Sequence, residues 1–396
     1  MKLLMTADTV GGVWTHAIEL CRSLQRHDVD IVLATMGAPL SPAQHDDVRR
    51  CRNVALRESQ WRLEWMPEPW DDVAAAGAWL LELEREVRPD VVHLNGFAHG
   101  GLPWQAPVLM VGHSCVLSWW RAVHGCDAPP VWDRYRAMVG TGLRAASMVA
   151  APTRTMLDAL TTHYGPLPRA GVLPNGCDAD VLPLGARDGF GRYNFGRYNR
   201  SGKVPEPFVL AAGRIWDEAK NFTALSTAAP RIRWPVYVAG ADTDPATGTR
   251  RQLPGLHALG AIAPATLRQW YGKASIFVHP ALYEPFGLAP LEAALQRTAL
   301  VLADIPSLHE VWDDAAVYVP PRQSDAIAAA INELIAEPLR LATLADAARR
   351  RAAELSARRM GRAYATTYRA LCGAVPVASD LSVMPAMPVG EDAACV

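Results

Sequence analysis

At 396 residues the chain is too long for one ordinary core and predicts two or three domains. It is 50% hydrophobic and 20% charged, with a formal net charge of −1 and interspersed signs, which argues against a partner held through nucleic-acid phosphates or a polybasic membrane surface. The cysteines, Cys21, Cys51, Cys115, Cys126, Cys177, Cys372 and Cys395, are scattered and form no C-x-x-C pair, so neither a disulfide framework nor a metal site is expected. The start, MKLLMTADTV, lacks the apolar run of a signal peptide, and no apolar stretch reaches the length of a membrane span. A cytoplasmic protein without an integral membrane segment is the expectation.

In chain order, Lys2 to Met5 reads as a short strand running into Thr-Ala-Asp, then Gly11-Gly12 and a helix from Trp14 to Leu24. Asp30 to Met36 is a second strand, and Val73 to Val87 a helix stopped by Pro89. Asp90 to Leu94, Pro107 to Gly112 and Ala146 to Ala151 read as further buried strands, and Gly171 begins one that ends in Asn175-Gly176. A Gly-, Tyr- and Asn-rich stretch follows, in which Phe190 to Asn194 recurs as Phe195 to Asn199 (FGRYN). Either it is a duplicated loop near a hinge or it is a flap over an acceptor site. Strands restart at Pro207 to Gly213, Val236 to Gly240, Ala274 to His279 and Ala299 to Ala303. Helical patterns at Ser324 to Ala336, Pro338 to Leu355 and Arg359 to Leu371 close the chain.

Strands alternating with helices, with little polar alternation inside the strands, predict an α/β fold of two doubly wound parallel sheets. The expected boundaries are an N-terminal Rossmann-like domain over 1–175, a hinge with the FGRYN repeat over 176–206 and a C-terminal Rossmann-like domain over 207–357. A terminal helix over 358–372 would cross back to the first domain, followed by a mobile tail over 373–396.

In such sheets ligands bind beyond the carboxyl ends of the strands, so residues just after strands are the candidates for chemistry. Gly11-Gly12 opens a helix and either contacts an anion or simply makes a turn. Gly140-Thr-Gly-Leu-Arg-Ala has the spacing of a dinucleotide fingerprint, but the residues before it read as helix, so it is rejected. Gly213-Arg214 ends a strand, with Lys220-Asn221 shortly after. Only four of the 39 basic residues are lysine, so Lys220 is poor surface filler. An arginine fork and a lysine point charge suit a diphosphate; ion pairs with Asp217 or Glu218 are the alternative. His113 ends a strand, where it is either a hydrogen-bonded rim residue or a group facing the cleft, and His93 and His99 are weaker candidates of that kind. In YEPFGLAPLE, Glu284 precedes the turn Pro285-Phe286-Gly287 and Glu292 lies one turn into the following helix. Separately these are ordinary helix acids. Beside Arg214 and Lys220 they read as two ends of one elongated ligand site.

Together these residues resemble the retaining GT-B glycosyltransferases of family GT4, over nearly the whole chain except the FGRYN repeat and the tail. The glutamate–seven residues–glutamate motif with its upstream arginine and lysine carries the resemblance. It implies a fold of two Rossmann-like domains facing across a cleft and a sugar nucleotide as donor, UDP-linked in the favoured case, with no cofactor and no metal. It implies that Arg214 and Lys220 hold the diphosphate, that Gly11, Gly12, Gly213 and Asn221 shape the phosphate site, and that Glu284 binds sugar hydroxyls. Pro285, Phe286, Gly287 and Leu288 would belong to the donor site, with the Phe286 and Gly287 N–H groups helping to bind the sugar, and Glu292 would bind the ribose hydroxyls. His113 would bond the 6-hydroxyl or stabilise positive charge. Gly260, Ala261 and Ile262 would lie by the base. Where many relatives have Lys-Gly, this chain has Lys220-Asn221. The acceptor would be a hydroxyl of a glycan, a lipid-linked sugar or a small molecule, with Trp119, Trp120 and His99 as candidate contacts. Other readings are a GDP-mannose-dependent transferase, a nucleotide-sugar epimerase, a phosphorylase and a noncatalytic two-lobed binding protein. An epimerase would need further acids near the sugar, and a phosphorylase a Schiff-base lysine.

Overall fold

The computed structural model describes residues 1–167, 169–178, 207–244 and 247–373. The FGRYN repeat, Lys203 and the tail beyond 373 lie outside the described residues. The first sheet comprises β1 (Lys2–Asp8), β2 (Asp30–Met36), β3 (Val54–Glu58), β4 (Val91–Leu94), β5 (Val108–Val111), β6 (Met148–Ala151) and β7 (Ala170–Val172). All its pairings are parallel, in the order β3-β2-β1-β4-β5-β6-β7. The second sheet comprises β8 (Val209–Ala212), β9 (Val236–Ala239), β10 (His257–Gly260), β11 (Ile276–His279), β12 (Ala299–Ala303) and β13 (Val317–Val319). Its pairings are also parallel, in the order β10-β9-β8-β11-β12-β13. In both sheets the strand order therefore reverses between the first and fourth strands of their half.

The strands are apolar throughout because both faces are covered. In β1, Leu3, Met5 and Ala7 pack into one core while Leu4 packs into the other. In β11, Phe277 faces one core and Ile276 and Val278 the other. The fold is the α/β arrangement of two Rossmann-like domains expected from the alternation. The edge strands β3, β10 and β13 were not legible as strands. Each is short and only partly buried, so the apolar run that marks a central strand is missing.

The helices that position the site are α1 (Gly12–Leu24), α2 (Pro42–Arg49), α3 (Trp70–Val87), α4 (Val116–His124), α5 (Asp133–Ala145) and α6 (Arg154–Tyr164). In the second half they are α7 (Phe222–Ala228), α8 (Pro264–Lys273), α9 (Leu288–Leu295), α10 (Pro306–Trp312), α11 (Ser324–Ala336) and α12 (Pro338–Glu354). The last helix, α13 (Ala357–Leu371), leaves the second domain and buries Met360, Tyr364 and Tyr368 in the first domain's core beside α1. Two chain crossings lie side by side there, since the Cys177 N–H donates to the Leu355 carbonyl at 3.1 Å. The rejected fingerprint Gly140–Ala145 is helical, within α5. A Cβ on Gly142 would lie 2.1 Å from the Phe97 carbonyl, so close packing accounts for that glycine.

Candidate active site

The carboxyl ends of both sheets face one cavity of about 730 Å³ between the domains. β1 contributes Asp8 to Gly12, β4 contributes Asn95 and Gly96, and β5 contributes His113. From the second sheet, β8 contributes Gly213 to Lys220, and β11 contributes His279 and the turn Glu284 to Gly287. These strand ends flank the reversal points of the two sheets, where doubly wound folds bind ligands.

Gly11 adopts φ 101° and caps α1 without a side-chain bond, and no acid occupies the helix's first turn. A Cβ on Gly11 would lie 2.7 Å from Arg214 Nη1. The guanidinium thus rests against the uncapped positive end of α1. Arg214 Nη2 also donates to Asp217 Oδ2 at 2.7 Å, while its Nε is buried without a partner. The ion pair with Asp217 is the alternative weighed for this arginine, and it forms here alongside the cleft-facing placement.

Lys220 does not pair with Asp217 or Glu218. Its Nζ donates to Glu284 Oε2 at 2.7 Å, and His279 Nε2 lies 3.0 Å from the same oxygen. Burial alone would raise the Glu284 carboxyl, but Lys220 and His279 overcome it and hold Glu284 well below the usual carboxylate range. Asn221 takes the left-handed conformation (φ 55°, ψ 35°) that glycine commonly fills, and its Nδ2 donates to the Pro280 and Pro321 carbonyls. It shapes the turn and does not line the cavity.

Glu292 on α9 lines the far end of the cavity. Burial pushes its carboxyl up to about 7, and Glu19 adds to this, against Tyr271 and Arg268. Phe286 is buried, while Pro285, Gly287 and Leu288 line the cavity. Gly260, Ala261 and Ile262 do not line it; Gly260 ends the edge strand β10, two strands from β8, and Ala261 and Ile262 follow it.

On the first domain's side, burial lowers His113 to about 4, so its ring is neutral at physiological pH. Its Nε2 lies 2.7 Å from Asn95 Oδ1. Trp119 and Trp120 line the cavity, and Trp119 Nε1 donates to Asp217 Oδ1 at 3.3 Å across the domains. His99 also borders it, but the ring is buried and its Nε2 is bonded to the Val73 carbonyl at 3.0 Å. His93 lies beneath the cavity, not in its lining, with Nδ1 2.7 Å from the Tyr368 hydroxyl.

Several lining residues were missed. Asp8, at the end of β1, is pushed up to about 7 by burial, with the nearby Glu64 adding to this against the Val10 N–H and Arg214. Glu64 accepts from the Phe97 and Ala98 N–H groups at 3.0 and 2.6 Å. Tyr283 accepts from the Cys115 N–H at 3.3 Å and bonds Ser118 Oγ at 2.8 Å. Asp8 and Asn95 each follow a strand, so the rule that selected His113 could have found them. Glu64 and Tyr283 act on segments far away in sequence and carry no local signal.

The first domain matches a model described as Glycosyltransferase Family 4 over residues 10–181. The second matches one described as Glycosyl transferases group 1 over residues 206–337. The chain is a family 4 glycosyltransferase. Family members similar to it include a glycogen synthase of Mycobacterium tuberculosis, 26% identical over 390 residues that cover 89% of this chain and 90% of the relative. An alpha-maltose-1-phosphate synthase of Mycolicibacterium smegmatis is 27% identical, covering 88% of this chain and 92% of the relative. Among solved structures, sucrose-phosphate synthase from Thermosynechococcus elongatus aligns with a TM-score of 0.74 at 17% identity, over 95% of this chain and 100% of that one. HepE from Anabaena, solved with UDP and glucose, aligns with a TM-score of 0.69 at 16% identity, over 93% of this chain and 99% of its own. These alignments share the GT-B fold.

Proposed function

We propose that the enzyme moves a hexosyl unit from a nucleoside diphosphate sugar, UDP-glucose in the favoured case, to a hydroxyl of a saccharide or related acceptor. The transfer retains the anomeric configuration and requires no metal. The observation that carries this reading is the meeting of Arg214 with the uncapped N-terminus of α1 at Gly11. A cation beside the positive end of a helix is unfavourable alone, and an anion of the diphosphate type bound between them satisfies both.

In this reading Arg214 and Lys220 bind the diphosphate, and Glu284 exchanges part of its bond to Lys220 for sugar hydroxyls. Glu292 accepts from the ribose, and the cavity wall of Asp8, Trp65, Trp119 and Trp120 receives the acceptor. The bond from the anomeric carbon to the phosphate oxygen breaks, and its electron pair leaves on that oxygen. The acceptor oxygen attacks from the same face and passes its proton to the departing phosphate oxygen. Positive charge grows on the ring and negative charge on the leaving group, so preorganised cations at the diphosphate lower the barrier. The UDP and UDP-glucose complexes of HepE support the uridine choice.

Thermal unfolding with UDP, GDP, ADP and TDP tests the donor site. A nucleotide at about a hundred times its Kd adds roughly 2.7 kcal/mol of stability. UDP is expected to raise Tm in the wild type and not in Arg214→Ala. Equal shifts in both proteins would remove Arg214 from the phosphate site.

A further inference from the structure

Four tryptophans of the first domain, Trp65, Trp119, Trp120 and Trp132, line the cavity, and the Asp8 carboxyl ends β1 close to Trp65. Trp65 is one of three large apolar side chains left exposed among the described residues, at 37%. The C–H faces of a sugar ring are apolar and suit such indole faces, while a carboxylate accepts from hydroxyls. An anion would instead need a cation or free backbone N–H groups on the same wall. The only arginine that the first domain sends into the lining is Arg62. Its Nη1 donates to the Pro67 and Glu68 carbonyls at 3.3 and 3.2 Å, and its Nε lies 3.8 Å from Asp72. Burial lowers His99 and His113, so neither carries a charge at neutral pH. The N–H groups at the helix starts along that wall are also taken. Glu64 accepts from Phe97 and Ala98 at 3.0 and 2.6 Å. At α4 the Cys115 and Val116 N–H groups donate to the Tyr283 and Tyr135 hydroxyls, both at 3.3 Å, and the Ser118 N–H donates to Cys115 Sγ. At α6 Glu310 accepts from Arg154 and Thr155. Of these starts α1 alone is open, and there the donor-site reading puts the diphosphate.

We propose that the acceptor sugar seated on this wall is uncharged, carrying neither phosphate nor carboxylate, and that Asp8 is the specificity-determining residue that accepts from one of its hydroxyls. The proposal rests on the transferase reading above. Burial has already pushed the Asp8 carboxyl up to about 7, with Glu64 adding to this. An acceptor phosphate beside it meets the same loss of water and a like charge as well. Arg214 favours the charged form of Asp8, but in that reading the donor's diphosphate engages it. Repulsion that no cation or backbone donor offsets costs at least about a hundredfold in kcat/KM. A hydroxylated ring loses less water and gains the indole faces.

The test compares glucose, mannose, galactose and maltose, each with its own 1-phosphate, and the hexoses also with their 6-phosphates. Two signals are followed in the wild type: release of UDP from UDP-glucose, and tryptophan fluorescence with UDP held at saturation. A neutral sugar is expected to exceed its phosphates at least about a hundredfold in kcat/KM and to change the fluorescence at lower concentration. Asp8→Asn should raise the KM for that sugar roughly tenfold without weakening UDP, since removing a negative charge does not disfavour an anion nearby. Trp65→Ala, at an exposed position, should raise the same KM about three- to tenfold. A sugar phosphate that turns over faster than its parent sugar, or fluorescence that answers to the phosphates alone or to no sugar, overturns the proposal. So does an unchanged acceptor KM in either folded variant. Fluorescence that answers to a neutral sugar while no UDP is released defeats the transferase reading instead and leaves the neutral-sugar site standing.

Discussion

Arg214 with Asp217 and Lys220 with Glu284 form ion pairs in the cleft, and each pairing has a measurable consequence. Arg214 is free enough to turn from Asp217 to a phosphate, since its side chain is 40% exposed. Arg214→Ala should leave the fold intact and raise the barrier to nucleoside diphosphate release by about 3 kcal/mol, seen as a fall in kcat. Lys220 differs, because it and Glu284 are 16% and 14% exposed. Lys220→Ala strands a carboxylate and should cost about 3 kcal/mol in urea unfolding, whereas Lys220→Met with Glu284→Gln should recover most of that and remain inactive. Equal stability of the single and double variants would show that the pair is not coupled. Glu292 has the opposite sign. Its folded pKa is raised to about 7, so its contribution to stability is full at low pH and is lost as pH rises through 7. Glu292→Gln should therefore exceed wild type in Tm at pH 8, with the gap closing near pH 4, while losing nucleotide affinity. Wild-type affinity for UDP should rise between pH 6 and pH 7.5, because the ribose hydroxyls need the carboxylate form. A flat calorimetric titration across that range would take Glu292 off the ribose.

At the scale of elements, legibility followed burial. Central strands such as β1, β4 and β5 are apolar on both faces, so their runs stand out in the sequence, and so do Gly11 and His113 just beyond two of them; Asn95 after β4 fits the same rule but was not picked out. The edge strands β3, β10 and β13 expose one flank and were missed. The base contact that the resemblance implies at Gly260 to Ile262 falls on the end of edge strand β10 and the two residues after it, outside the cavity lining. The helix α13 was visible as a pattern and expected to cross back to the first domain, but the side chains it meets there were not legible, because a helical repeat does not name its contacts. Its fit is close: a Cβ on Gly361 would fall 2.0 Å from Ser23 Oγ, and Ser23 Oγ donates to the Ala357 carbonyl at 2.7 Å. Gly361→Ala should force α13 away from α1 and cost about 1–3 kcal/mol in urea unfolding. A neutral result would mean that this contact has slack.

Across the whole molecule, polar contacts tie the two halves together. Glu310 of α10 accepts from the Arg154 and Thr155 N–H groups at 2.5 and 2.9 Å and so caps α6 of the other domain. Arg322 donates to the Ala122 and Val123 carbonyls at the end of α4. None of these long-range pairs was legible in the sequence, because capping residues signal only helices that they precede locally. Glu310→Ala should widen the molecule in small-angle scattering and raise the donor KM roughly tenfold with a smaller change in kcat. An unchanged radius of gyration would show that other contacts hold the halves together. The central claim is that the junction of Arg214 and α1 holds the diphosphate of a sugar nucleotide during transfer. The measurement that tests it most directly is release of nucleoside diphosphate from UDP-, GDP-, ADP- and TDP-glucose, with chelator and a panel of saccharide acceptors, by wild type and Arg214→Ala. Release by the wild type is expected, UDP-glucose foremost, and its loss in the variant. Folded wild type that releases nothing from any donor, or a variant that turns over as fast, would contradict it.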